Sequence, residues 1–535
     1  MGSNKTGTET SLIPCSQLKM GPGTAVVITD AAALKELMDK RSATTVDRPP
    51  NYIADAVAGG LNMVLARYTE DWRTLRRTAH TILTPQQCTK HLPIQKAEAI
   101  QLLYDMLQTP QSFYTHIRRY SNSVIMSVLY GKRCPRYETV ETTAFFQAQH
   151  EWELLLEPGA TPPLDLLPIL KHVPERWAPW KVDVRTCRQH QRDLYFGLLD
   201  DTARRMESGE ENGCYMEDVI HRQKEFGMDR EITGYLGGVL LEGGSDTTSS
   251  FLQSLILAMV AFPEAQRKAQ EELDRVVGPH RIPTLDDIEE LPYVKAVIRE
   301  THRFRPVAPL MVPHATTAPE EYQGFFIPQG STIFVNTCKL FSDISGGIFH
   351  DPALFDKPEI YNPDRYIITE NGTKPGVDGS DLRGTLPFGC GRASLLITLR
   401  RKETDMLVFS SGSAREFISL KIRSYEFLTS TASGSRPNAT ASTLQNINTM
   451  NLLWAFEFSR ASDPETGKLI DVDVNNYARG ILTAPMPFRC AITPRSAERV
   501  ELIEREFHEA MDTFSKFEYG LSKEDQEYVR KYRSP

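Results

Sequence analysis

The chain has 535 residues, 61 Lys+Arg against 69 Asp+Glu, and a formal net charge of −8. Apolar residues make up 40% and charged residues 24%, which excludes a disordered or fibrous chain. The acidic surplus argues against an electrostatic nucleic-acid binder, so no nucleic-acid partner is expected. Eight cysteines without a Cys-x-x-Cys pair indicate neither a zinc ribbon nor a disulfide framework, and point to a reducing compartment.

Residues 1–19 read as an unstructured N-terminus with neither signal peptide nor membrane anchor. Thr24–Thr29 then predicts a strand, and Asp30 caps a helix beginning at Ala31. A turn-rich break at 47–52 precedes mostly helical sequence from Ala79 to Leu107. Segment 157–180 is proline-rich and apolar, with Leu164, Leu166, Leu167, Ile169, Leu170, Trp177 and Trp180. It reads either as a loop packed on the core or as a greasy surface loop. Residues 231–262 form one long, buried helix ending before Pro263. A charged helix closed by Gly278 follows, then a helix from Leu291 to Phe304 stopped by Pro306, then short strands over 307–337. Segment 393–441 is rich in Ser and Thr and has no period. Residues 501–535 read as a charged, helical, solvated tail. No apolar run reaches the roughly 18 residues needed to span a bilayer.

At the centre of the long helix stands Glu242-Gly243-Gly244-Ser245-Asp246-Thr247-Thr248. Glycines there cost about 1 kcal/mol each relative to Ala. They therefore imply either a tight helix crossing or a ligand groove beside an acid–hydroxyl pair. Glu300 and Arg303 share one face of the next motif-bearing helix at i, i+3. Tyr361-Asn362-Pro363-Asp364-Arg365-Tyr366 and Pro387-Phe388-Gly389-Cys390-Gly391-Arg392 come later. The latter is neither a dinucleotide fingerprint nor a phosphate loop, lacking the third glycine and any Gly-Lys-Ser/Thr.

In this order the motifs resemble those of the cytochrome P-450 haem-thiolate monooxygenases, most closely the microsomal-type fungal members. The resemblance implies a mainly α fold with small β-sheets, as one domain over 20–392 and 442–500. It implies a haem cofactor whose propionates are held by Trp72, Arg76 and His314, with Phe388, Gly389, Gly391 and Arg392 in the ligand loop. It makes Glu300, Arg303 and Arg365 a buried structural network, and Asp246 and Thr247 the proton-relaying pair of oxygen activation. Residues 51–68, Val307–Val312 and Ile481–Pro487 become substrate-contact segments. The implied activity is monooxygenation of a lipophilic small molecule in fungal secondary metabolism. It would take place at the endoplasmic reticulum membrane, with electrons from NADPH-cytochrome P-450 reductase.

The pattern breaks at the ligand loop. Counting from Phe388, the metal-ligating cysteine belongs at 395, which is Leu395; Ala393 and Ile397 also depart from the motif. The match resumes at Ser442-Thr443-Leu444, so 393–441 stands as an insertion replacing the ligand loop. About ten extra residues after Cys338, and a start well inside the family's fold, point the same way. Cys390 is a weak substitute ligand, five residues early, and Cys490 another. The alternatives to the enzyme are a catalytically dead homologue with a binding role, and a mis-spliced gene model that has lost the haem cysteine.

Overall fold

The computed structural model describes residues 15–157, 159–338, 347–382, 386–388, 390 and 440–533. Gly389, Gly391, Arg392, Leu395 and most of the 393–441 insertion lie outside them, as do residues 339–346 and the side chain of Phe388. The architecture is predominantly helical, with a small mixed sheet at one side.

The organising element is the helix Arg230–Ala261. Asp229 starts it by accepting the Ile232 backbone N–H at 2.8 Å, and Pro263 stops it by withdrawing a donor. It is apolar on nearly every face and lies in the largest core cluster, with Phe113–Tyr130, Leu92–Gln108 and Thr440–Ala455 around it. Its glycines allow close crossings. A Cβ at Gly244 would meet Ile125 at 2.8 Å, and one at Gly238 would collide with the Tyr195 ring. Gly238→Ala is therefore expected to destabilise: overpacking costs about 1–3 kcal/mol, and the helical alanine returns only about 1 kcal/mol. A thermal midpoint at or above wild type would refute this.

The sheet has the order β1-β2-β6-β3, from strands β1 Cys15–Met20, β2 Gly23–Ile28, β3 His314–Ala315 and β6 Thr332–Val335. Strands β2 and β6 run parallel, with Val26 opposite Ile333. Two hairpins complete the β structure, β4 Glu320–Tyr322 with β5 Phe325–Ile327, and β7 Phe456–Arg460 with β8 Cys490–Pro494. Asp30 accepts the Ala33 N–H as expected, and the helix it starts continues into a π-turn at Lys35–Lys40.

Two sequence expectations are corrected. Residues 15–19 are not unstructured: they pair with β2 through a turn at Gly21, whose φ is +57°. As an edge strand, β1 keeps a solvated side, so its polar composition hid it. The C-terminal segment is not a solvated tail either. Leu502, Ile503, Phe507 and Phe514 are buried, and Phe507 stacks on Tyr104 with ring centroids 4.0 Å apart. Ion pairs Arg133–Glu518 (2.8 Å) and Arg136–Asp525 (2.6 Å) fasten it to the chain near residue 135.

The 157–180 segment divides between its two readings. Leu164 and Trp180 are buried with Ile53, Val57, Trp152 and Val184 in a separate apolar cluster, whereas Leu167, Ile169 and Trp177 are 52%, 77% and 68% exposed.

Candidate functional site

Within the buried stretch of the central helix, Gly243, Asp246 and Thr247 remain partly exposed. Their i, i+3, i+4 spacing puts them on one face, so the helix opens onto a cleft at its midpoint. The two glycines thus divide the sequence alternatives, Gly244 making the tight crossing and Gly243 lying in the open strip. Thr247 Oγ1 donates to the Gly243 carbonyl at 2.7 Å, and Thr248 Oγ1 to that of Gly244 at 2.8 Å. This back-bonding settles the hydroxyls inside the helix.

Three distant segments gather around this helix. The Thr483 N–H donates to the Val307 carbonyl at 2.8 Å, which ties Ile481–Pro487 to Val307–Val312. Segment 51–68 is bound to the central helix by Asn62 Nδ2 donating to Glu242 Oε2 at 3.1 Å and Tyr235 donating to the Val57 carbonyl at 3.3 Å.

Trp72 and Arg76 lie on the helix Glu70–Ile82, started by Thr69. Trp72 Nε1 donates to the Met63 carbonyl at 3.0 Å, and the buried Arg76 guanidinium lies 5.7 Å from the Trp72 ring. The Thr45 carbonyl lies 2.9 Å from His314 Nδ1, so the proton is assigned to that nitrogen, and burial pushes the imidazole down to about 3. Asp47 connects His314 to the tryptophan helix. Its carbonyl accepts the Ala315 N–H at 2.7 Å, and its carboxylate accepts the Tyr68 N–H at 2.9 Å and Arg67 Nη2 at 2.8 Å. Tyr68 in turn packs on Trp72, centroids 5.0 Å apart.

Glu300, Arg303 and Arg365 meet in one buried network. Arg303 Nε and Nη2 reach the Glu300 carboxylate at 2.8 and 2.9 Å, and Arg365 Nε does so at 3.1 Å. The Asn362 N–H adds a bond at 2.8 Å, and Arg303 Nη1 donates to the Phe349 carbonyl at 2.7 Å. Cys390 is buried in the apolar cluster beneath the sheet, with Met311, Phe349 and Leu386. Cys490 lies on β8, where burial pushes its thiol up to about 12.

Two acids escaped the sequence reading. Glu242 accepts from Tyr195, from Gln191 Nε2 at 3.3 Å and from Asn62, and burial raises it to about 7 despite the Tyr195 and Asn62 bonds. Glu153, on Val140–Leu156, hydrogen-bonds Asp246. Neither carries a motif. Glu153 lies 93 residues before Asp246, and only the fold brings the two together.

The family model described as cytochrome P450 matches residues 6–394. A cytochrome P450 monooxygenase of Armillaria gallica is 40% identical over 501 residues, covering 94% of this chain and 86% of the relative. Cytochrome P450 monooxygenase yanC of Aspergillus niger is 33% identical, covering 92% and 85%, and macC of Penicillium terrestre is 32% identical with the same coverage. Among solved structures, a zebra fish cytochrome P450 with progesterone aligns with a TM-score of 0.65 at 20% identity, over 90% of this chain and 96% of that one. The motif order, the fold and these relatives agree: the chain belongs to the cytochrome P450 family of monooxygenases.

Proposed function

We propose that the protein oxidises a lipophilic small molecule, using dioxygen and electrons from an NADPH-dependent reductase, in fungal secondary metabolism. The observation that carries this reading is the open strip Gly243–Asp246–Thr247, rimmed by segments of predominantly apolar composition. An acid beside a hydroxyl supplies proton donors at the cleft, and an apolar rim selects lipophilic ligands. Leu167, Ile169 and Trp177, exposed together, support attachment to the endoplasmic reticulum surface, since indoles favour the interface. Among the described residues no helix is long and apolar enough to cross a membrane.

The family implies a haem, and the residues present fit it on one side. Arg76 is a buried guanidinium stacked on an indole, and His314 shares the same neighbourhood, as carboxylate anchors require. A haem held there would supply oxygen activation. The iron side does not fit: Leu395 has no donor atom. No chemical step is therefore derived through the group. Leu395 also supports a second reading, a homologue that binds the same ligand class without turning it over.

A cDNA across codons 392–442 separates the two. A transcript restoring Arg-x-Cys-x-Gly supports the enzyme, and one encoding Leu395 supports the binding homologue. In the restored protein, Thr247→Ala should lower product formed per NADPH consumed and raise peroxide release, because the hydroxyl helps position protons. Unchanged coupling would reduce Thr247 to a helix hydroxyl bonded to Gly243.

A further inference from the structure

Glu153 stands near the end of Val140–Leu156, one turn after Gln149, whose Nε2 donates to Glu153 Oε1 at 3.2 Å. Its carboxyl group is hydrogen-bonded to that of Asp246, in the open strip of the central helix. Two ionised carboxylates have no donor between them, so this contact requires a proton. We propose that Glu153 is a positioning residue for Asp246: it keeps the proton of the pair and donates it, holding the Asp246 carboxylate in one orientation beside Thr247. The inference rests on the reading of Asp246 as a proton-handling group.

The surroundings determine which acid keeps the proton. Burial first, and then the charge of Asp246, push Glu153 up to about 8, against the Gln149 bond and Arg118. Burial also raises Asp246, but the bond from Glu153 and the charge of Arg118 draw it back. Arg118 is the cation acting on both; its guanidinium lies 5.0 Å from the Phe146 ring centroid. A carboxyl raised in the folded state stabilises the fold fully below its unfolded value. That stabilisation is lost as pH rises through the folded value. The window here runs from the ordinary glutamate value of 4.5 up to about 8.

The test uses the full chain and two near-isosteric variants. In Glu153→Gln the amide still donates to Asp246 but cannot titrate. The wild-type thermal midpoint should fall as pH rises through about 8, and the variant's should stay flatter. Infrared difference titration with labelled glutamate should show a carboxyl signal near pH 8 that is absent in Glu153→Gln. In Asp246→Asn its midpoint should fall by about one unit, a tenfold change in proton affinity. The separate Glu242 titration should persist in both variants. An unchanged Glu153 midpoint in Asp246→Asn, or a wild-type Glu153 titrating in the ordinary carboxylate range, overturns the proposal. If the restored protein shows no monooxygenation while the titration behaves as expected, the functional reading falls and the pair stands. If Thr247→Ala uncouples but the titration fails, only the pair falls.

Discussion

Reduced under carbon monoxide, the 535-residue chain will give no thiolate-type Soret band. That signature needs a cysteine thiolate on the iron, and position 395 is leucine. The other thiols are poorly placed to replace it. Burial pushes Cys15 up to about 11, and pushes Cys134, Cys214 and Cys490 up to about 12, which holds them protonated. Cys390 lies among apolar side chains beneath the sheet. The expected effect is complete loss of the band rather than a reduction. A clear thiolate spectrum would overturn this, and its disappearance in Cys390→Ala would then assign the ligand.

Glu300→Ala is expected to cost about 3–5 kcal/mol, because removing one partner strands buried charge. Glu300 is 0% exposed, and Arg303 and Arg365 are 1% and 5% exposed. Both guanidiniums point at the one carboxylate, and the Asn362 N–H would also lose its acceptor. Set against a typical stability of about 5–15 kcal/mol, the change approaches the limit of folding. Denaturant unfolding checks it. A loss below about 1 kcal/mol, the range of an exposed pair, would mean that water reaches the site.

What the sequence by itself determined is what local chemistry specifies. The central helix lies within a residue of its expected span because Asp229 and Pro263 act on their immediate neighbours. The helix through Glu300 was bounded in the same way by Pro306, and the i, i+3 spacing placed Glu300 and Arg303 on one face. The ordered motifs carried the family, and Leu395 was visible without coordinates as the break in its chemistry.

Tertiary structure decided everything that depends on partners far along the chain. The Glu300–Arg303 pair could equally have been a weak exposed one; burial and Arg365, from a loop 62 residues after Arg303, made it a network. Strand β1 had too polar a pattern to show itself and became a strand only by pairing with β2. The C-terminal stripe of Leu502, Ile503 and Phe507 was masked by charged neighbours until Tyr104 gave it a surface. In segment 157–180 the same apolar composition went two ways, Leu164 and Trp180 inward, Ile169 and Trp177 outward. Glu153 had no local signal at all. Periodicity and capping act over a few residues, whereas burial and carboxyl pairing are set by whichever distant segment packs against them, and a residue's own neighbours in sequence carry no record of that.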